Sequence, residues 1–285
     1  MRFPMMLAAP LALWSVVAAP APAETVTDAQ LRAPGGALAE TAPEIRALFE
    51  DMGLYAILEV MSAEGVAGAD DIEIRHQAVV AGIYASDRMV ADFEAALPLD
   101  LMTPETVAEL QAFFDTDLGA RIAEGELAAR QSFLEPDIEE GAEALVRQRV
   151  DEGHPRIELL TEFIAVNDLV EHNVSGALNS NFAFYRGLSD GGAFAAPIPQ
   201  ELMLAEVWGQ EAEIRTETTE WLLAYQTLAY EGLSDDEMRD YIALSRSEAG
   251  QVLNRVMFRA FADVFDAISY DLGEEAAHFI SGEET

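Results

Sequence analysis

Proton transfer near neutral pH and imidazole ligation of a metal both fall to histidine, and the chain holds four: His76, His154, His172 and His278. No two stand in the His-Glu-x-x-His spacing that presents two ligands on one helix face. His172, between Glu171 and Asn173 on an otherwise apolar helix, reads as a surface or capping side chain, and His154, next to Pro155, as a turn residue. Cysteine is absent, which removes thiol nucleophiles, disulfides and thiolate metal sites. All 16 basic residues are arginine, so chemistry needing an amine is excluded: a Schiff base, a serine–lysine dyad or the lysine of a phosphate-binding loop. No Gly-x-Ser-x-Gly elbow supports a serine nucleophile.

Carboxylates are the remaining chemistry, and with 52 Asp and Glu the spacing singles out no acid–base pair of the kind glycoside hydrolysis uses. Residues 68–73, GADDIE, gather oxygen ligands in a turn without the twelve-residue pattern of a calcium loop. Phe113, Phe114, Trp208, Trp221, Tyr225 and Tyr230 offer a lining for an apolar ligand, although aromatic residues at helical spacing read more simply as core. No catalytic, cofactor-binding or metal-ligating residue is therefore assigned, and no cofactor is implied.

The elements that would position any site are helices. Residues 1–23 have the three parts of a cleaved secretory signal: Arg2, an apolar stretch over 5–17, and Ala21-Pro22-Ala23. That apolar stretch is too short to span a bilayer, and the later apolar run 221–230 is bounded by Glu220 and Glu231. The expectation is a periplasmic or secreted product with no stable membrane insertion after cleavage. Its net charge of −36 repels nucleic acid and anionic lipid and excludes both as direct partners. Hydrophobic residues at 51% still provide for a substantial core.

Residues 24–43, with Pro34-Gly35-Gly36, read as a flexible lead-in. From residue 44, Ile45, Leu48, Phe49 and Met52 recur at helical spacing, and strand alternation never holds for more than a few residues. The fold class is all-α. In residues 102–122, Thr103 caps a helix that opens on Pro104 and Glu105, Val107, Leu110 and Phe114 share a face, and Thr116 caps a second helix. The pattern returns 131 positions later in residues 233–253, with a Ser234/Glu237 capping box, the face Met238, Tyr241 and Ile242, a second cap at Ser247, and Gly250 in the place of Gly119. This reads as an internal duplication into two tandem helical-bundle units, 44–152 and 153–285, joined at the breakers Gly153 and Pro155. A second soft spot is expected over 187–199, as a variable connector or a functional loop.

Residues 102–122, and more weakly 233–253, resemble the bacterial family called domain of unknown function 2059. The resemblance rests on Thr103-Pro104-Glu105, Phe113-Phe114 and Thr116-Asp117-Leu118-Gly119 followed by Ile122; the second copy has Leu244-Ser245 in place of the aromatic pair. It implies an exported helical protein and carries no established activity. Together these readings point away from an enzyme and toward a non-catalytic exported protein that binds a cell-envelope component. A periplasmic carrier of an apolar small molecule and a hydrolase using acidic residues are the alternatives.

Overall fold

Helix begins before residue 44. In the computed structural model, which describes residues 37–68, 74–194 and 196–281, α1 (Ala37–Thr41) and α2 (Pro43–Asp51) follow one another across Ala42. Leu38 is only 2% exposed and Ala42 is buried, so the end of the expected lead-in is pinned by burial. The signal segment, residues 24–36 and the acidic turn at 69–73 lie outside the described residues.

The chain continues through α3 (Leu54–Ala67), α4 (Ile74–Ile83), α5 (Ser86–Ala96), a 3₁₀ turn at Leu99–Leu101, α6 (Pro104–Phe114), α7 (Asp117–Ser132) and α8 (Pro136–Asp151). After Gly153 come α9 (Pro155–Val166), α10 (Leu169–Asp190), α11 (Gln200–Trp208), α12 (Glu211–Ala229), α13 (Asp235–Arg246) and α14 (Glu248–Ser281). No strand occurs among the described residues, and the fold is all-α.

The two 21-residue motifs adopt the same local structure. Thr103 Oγ1 accepts from Thr106 N at 3.2 Å, and Ser234 closes a full capping box with Glu237. Thr116 Oγ1 accepts from Gly119 N, and Ser247 Oγ from Gly250 N, each at 3.1 Å. A Cβ on Gly119 would overlap the Phe113 carbonyl oxygen, and one on Gly250 that of Leu244, so both glycines let a new helix start tight against the end of the old one.

The 34-residue α14 is the spine, roughly 50 Å long at 1.5 Å per residue. It packs against α4, α5 and α6 from the first half and against α10 and α13 from the second. Val256, Met257, Phe258, Phe261, Val264 and Ile268 are buried along it. One hydrophobic cluster runs from Leu38 to Ile268, so the 152/153 boundary does not interrupt the core.

At the α10–α14 crossing, a Cβ on Gly187 would fall on the Tyr270 carbonyl oxygen and a Cβ on Gly273 on that of Phe184. Side chains are absent where the two backbones meet. This shortens the expected loop, because α10 carries on past Gly187 to Asp190 and leaves residues 191–199 as the connection to α11.

Candidate functional site

Chemistry in a helical protein starts with titratable groups that packing has displaced, and one strongly displaced carboxyl is that of Glu126 on α7. The buried face of α7 comprises Gly119, Ile122, Ala123, Glu126, Ala129 and Arg130, which places an acid on a stripe otherwise suited to apolar residues. Glu126 is 5% exposed. Tyr230, which ends α12, donates its hydroxyl to Glu126 Oε1 at 2.7 Å, and Tyr241 on α13 donates to the same oxygen at 3.2 Å. Tyr225 on α12 donates to the Glu126 backbone carbonyl at 2.8 Å.

Aromatic packing holds these donors. Phe163 on α9 lies against Tyr230 and Tyr241, with ring centroids 5.6 and 4.9 Å away. Phe113 stacks on Tyr241, while Phe133 and Trp221 pack on Tyr225. One turn beyond Glu126, Arg130 pairs with Glu64 of α3. Arg156 on α9 donates to the Tyr230 carbonyl at 2.6 Å and pairs with Asp235.

Burial pushes the Glu126 carboxyl from 4.5 up to about 7, and the tyrosine hydroxyls, which favour the ionised form, only partly offset it. Tyr225, Tyr230 and Tyr241 are pushed well above 10, first by burial and then by the charge of Glu126. The geometry is that of a tie between α7 and the α12–α13 corner. Oε1 is committed to two hydroxyls, and the carboxyl is enclosed by rings.

Other buried or half-buried acids do the same work. Glu94 on α5 takes the guanidinium of Arg46 from α2 and the hydroxyl of Tyr55 from α3, the latter at 3.0 Å. Asp266 on α14 accepts from Ser180 of α10 at 3.3 Å, and burial raises its carboxyl to about 7. His76 on α4 bonds Glu275 on α14 and meets Phe279 edge-on.

The remaining histidines separate. His154 caps α9, its Nδ1 accepting from Arg156 N, in keeping with a turn role. His172 corrects its sequence reading as a surface or capping side chain. It is half-buried with its ring 4.5 Å from Phe258 of α14, and burial lowers its basicity. His278 lies in the last turn of α14. Among the described residues, no group of three or more His, Asp or Glu side chains is placed to hold a metal ion.

Of the aromatic residues flagged by sequence, Phe114, Trp221, Tyr225 and Tyr230 are core, and Phe113 is partly buried against it. Trp208 departs from the group and is 64% exposed. It ends α11, a nine-residue helix that rests on α10 through Met203 and Val207. At 100° per residue those two anchors define the inner side, and Leu202, Ala205 and Trp208 fall on the outer side. Leu202 is 61% exposed, and Phe194 and Leu204 add further exposed apolar surface nearby in the chain. Sequence reasoning missed this face because Leu202 and Trp208 share α11 with the apolar anchors Met203 and Val207, and packing decides which side of so short a helix meets α10.

No protein-family model, curated protein or solved structure matches the chain.

Proposed function

We propose that the chain is a non-catalytic exported protein, a divergent two-copy relative of the domain of unknown function 2059 family, that docks another component of the cell envelope on the outer face of α11. The observation that carries this reading is the exposure of both Trp208 and Leu202 on the outer side of a helix whose inner residues Met203 and Val207 are buried. Large aromatic and aliphatic side chains held in water on a rigid helix are the usual anchors of protein interfaces.

A second line of support comes from the buried acids. The carboxyls of Glu126, Glu94 and Asp266 each join different helices and are occupied by hydroxyl or guanidinium donors. The displaced ionisation of Glu126 and Asp266 is accounted for by their burial between helices, without a substrate. No helix among the described residues is long and apolar enough to cross a membrane, so the exposed face is not part of a membrane span.

Native mass spectrometry on the mature protein, isolated gently from its own envelope, tests the reading. A second polypeptide should accompany the wild type and be missing from Leu202→Ser/Trp208→Ser. Added mass of an apolar small molecule would make the protein a carrier instead, and a bare monomer in both samples would contradict docking.

A further inference from the structure

Charge around α11 is one-sided. Between Arg186 and Arg215 the sequence has no basic residue and five acids: Asp190, Glu201, Glu206, Glu211 and Glu213. The two bordering guanidiniums are already engaged, Arg215 with Glu171 and Glu211, and Arg186 over the ring of Tyr270 at 5.6 Å. Glu201, Glu206 and Glu213 are exposed and have no ion pair among the described residues. On the helical wheel Glu201 falls between Trp208 and Ala205, and Glu206 lies just beyond Leu202. Uncompensated carboxylates thus stand within the apolar strip, at Glu201, and beside it, at Glu206, on a chain whose net charge is −36.

The shape of the strip narrows the occupant further. Leu202, Ala205 and Trp208 recur at intervals of three along about 9 Å of helix, with a small residue between two large ones. A small residue flanked in this way forms a notch that accepts the side-chain ridge of a second helix at ordinary interaxial distance. A second copy of this chain would bring like charge against like charge and is disfavoured.

We propose that the α11 face binds a basic amphipathic helix of a partner protein, whose apolar ridge seats on Leu202, Ala205 and Trp208 while its lysines or arginines meet Glu201 and Glu206. The proposal rests on the docking reading above and adds the chemistry of the partner. Apolar contact supplies the slow step of dissociation, and the two carboxylates supply attraction and orientation.

Calorimetric titration of the full mature chain at about 0.15 M salt tests it. The probe is a synthetic leucine–lysine peptide of about 18 residues, or five helical turns, with leucines on one face. Binding is expected to weaken by about tenfold or more in Leu202→Ser/Trp208→Ser, with circular dichroism and Tm unchanged. A comparable loss is expected when every lysine of the probe is replaced by glutamine. Equal affinity in the variant would reduce the binding to general attraction by an acidic surface and overturn the site. Equal affinity of the glutamine probe would overturn the basic partner. Attachment of the wild type, lost in the variant, to phosphatidylcholine vesicles in preference to the peptide would assign the face to lipid and overturn the proposal. If the peptide fails while native mass spectra still show a polypeptide lost with the double substitution, the partner's chemistry falls and docking stands. If neither is seen, docking itself falls.

Discussion

At the scale of single residues, the displaced carboxyls of Glu126 and Asp266 are explained by their burial between the helices they join. Glu126 shows how such a tie reads out in stability. Burial opposes its ionisation, so the folded protein keeps the proton up to about pH 7, whereas the unfolded chain releases it near 4.5. Between those values the unfolded state binds fewer protons, and stability must fall as pH rises through the window. The displacement corresponds to roughly 3 kcal/mol. Glu126→Gln keeps a carbonyl to accept from Tyr230 and Tyr241 and cannot ionise, so urea unfolding at about pH 5 and about pH 8 should differ less than in the wild type by approximately that amount. An unchanged difference would remove Glu126 from this role. Sequence held a partial signal for the residue, since Glu126 keeps step with Ile122, Ala123 and Ala129 on one face of α7. Its donors were not legible, because Tyr225, Tyr230 and Tyr241 lie about a hundred residues away and meet it only through tertiary packing. The same distance hid the contact between His172 and Phe258.

Element boundaries were legible where local chemistry decides them and illegible where packing does. Thr103, Thr116, Ser234 and Ser247 cap their helices as their types and spacing require, because a cap needs only the next three residues. Gly187 looked like the start of a loop and is instead a contact point inside α10, a distinction that depends on α14 lying across it. Two substitutions on this one helix separate propensity from packing. A Cβ on Gly176 meets nothing within 4 Å, so Gly176→Ala should stabilise by about 0.5–1 kcal/mol through helix propensity. Gly187→Ala places its Cβ on the Tyr270 carbonyl oxygen and should destabilise by about 1–3 kcal/mol. Chemical denaturation of both variants measures this, and a Gly187→Ala protein as stable as Gly176→Ala would mean that α10 and α14 do not approach as closely as described. The outer face of α11 was hidden for a related reason: Leu202 and Trp208 differ from Met203 and Val207 only in which side of the helix meets α10.

For the whole molecule, the acidic surface and the main hydrophobic core shared by the two halves have separate roles. The core, threaded by α14, holds both halves in one arrangement, and α11 stands at its edge as a short helix anchored on one side only. On the docking proposal, the net charge of −36 would select which partners approach, and the apolar strip would hold one. On that proposal the protein acts through the strip. The most direct test is photocrosslinking in intact cells, with a photoreactive aromatic residue substituted for Trp208 in the full chain and, as a control, for exposed Arg147 on α8. A discrete crosslinked protein at position 208, missing at position 147 and suppressed by Leu202→Ser, is the expected result. The absence of any adduct at 208, or the same adducts at both positions, would contradict docking on α11.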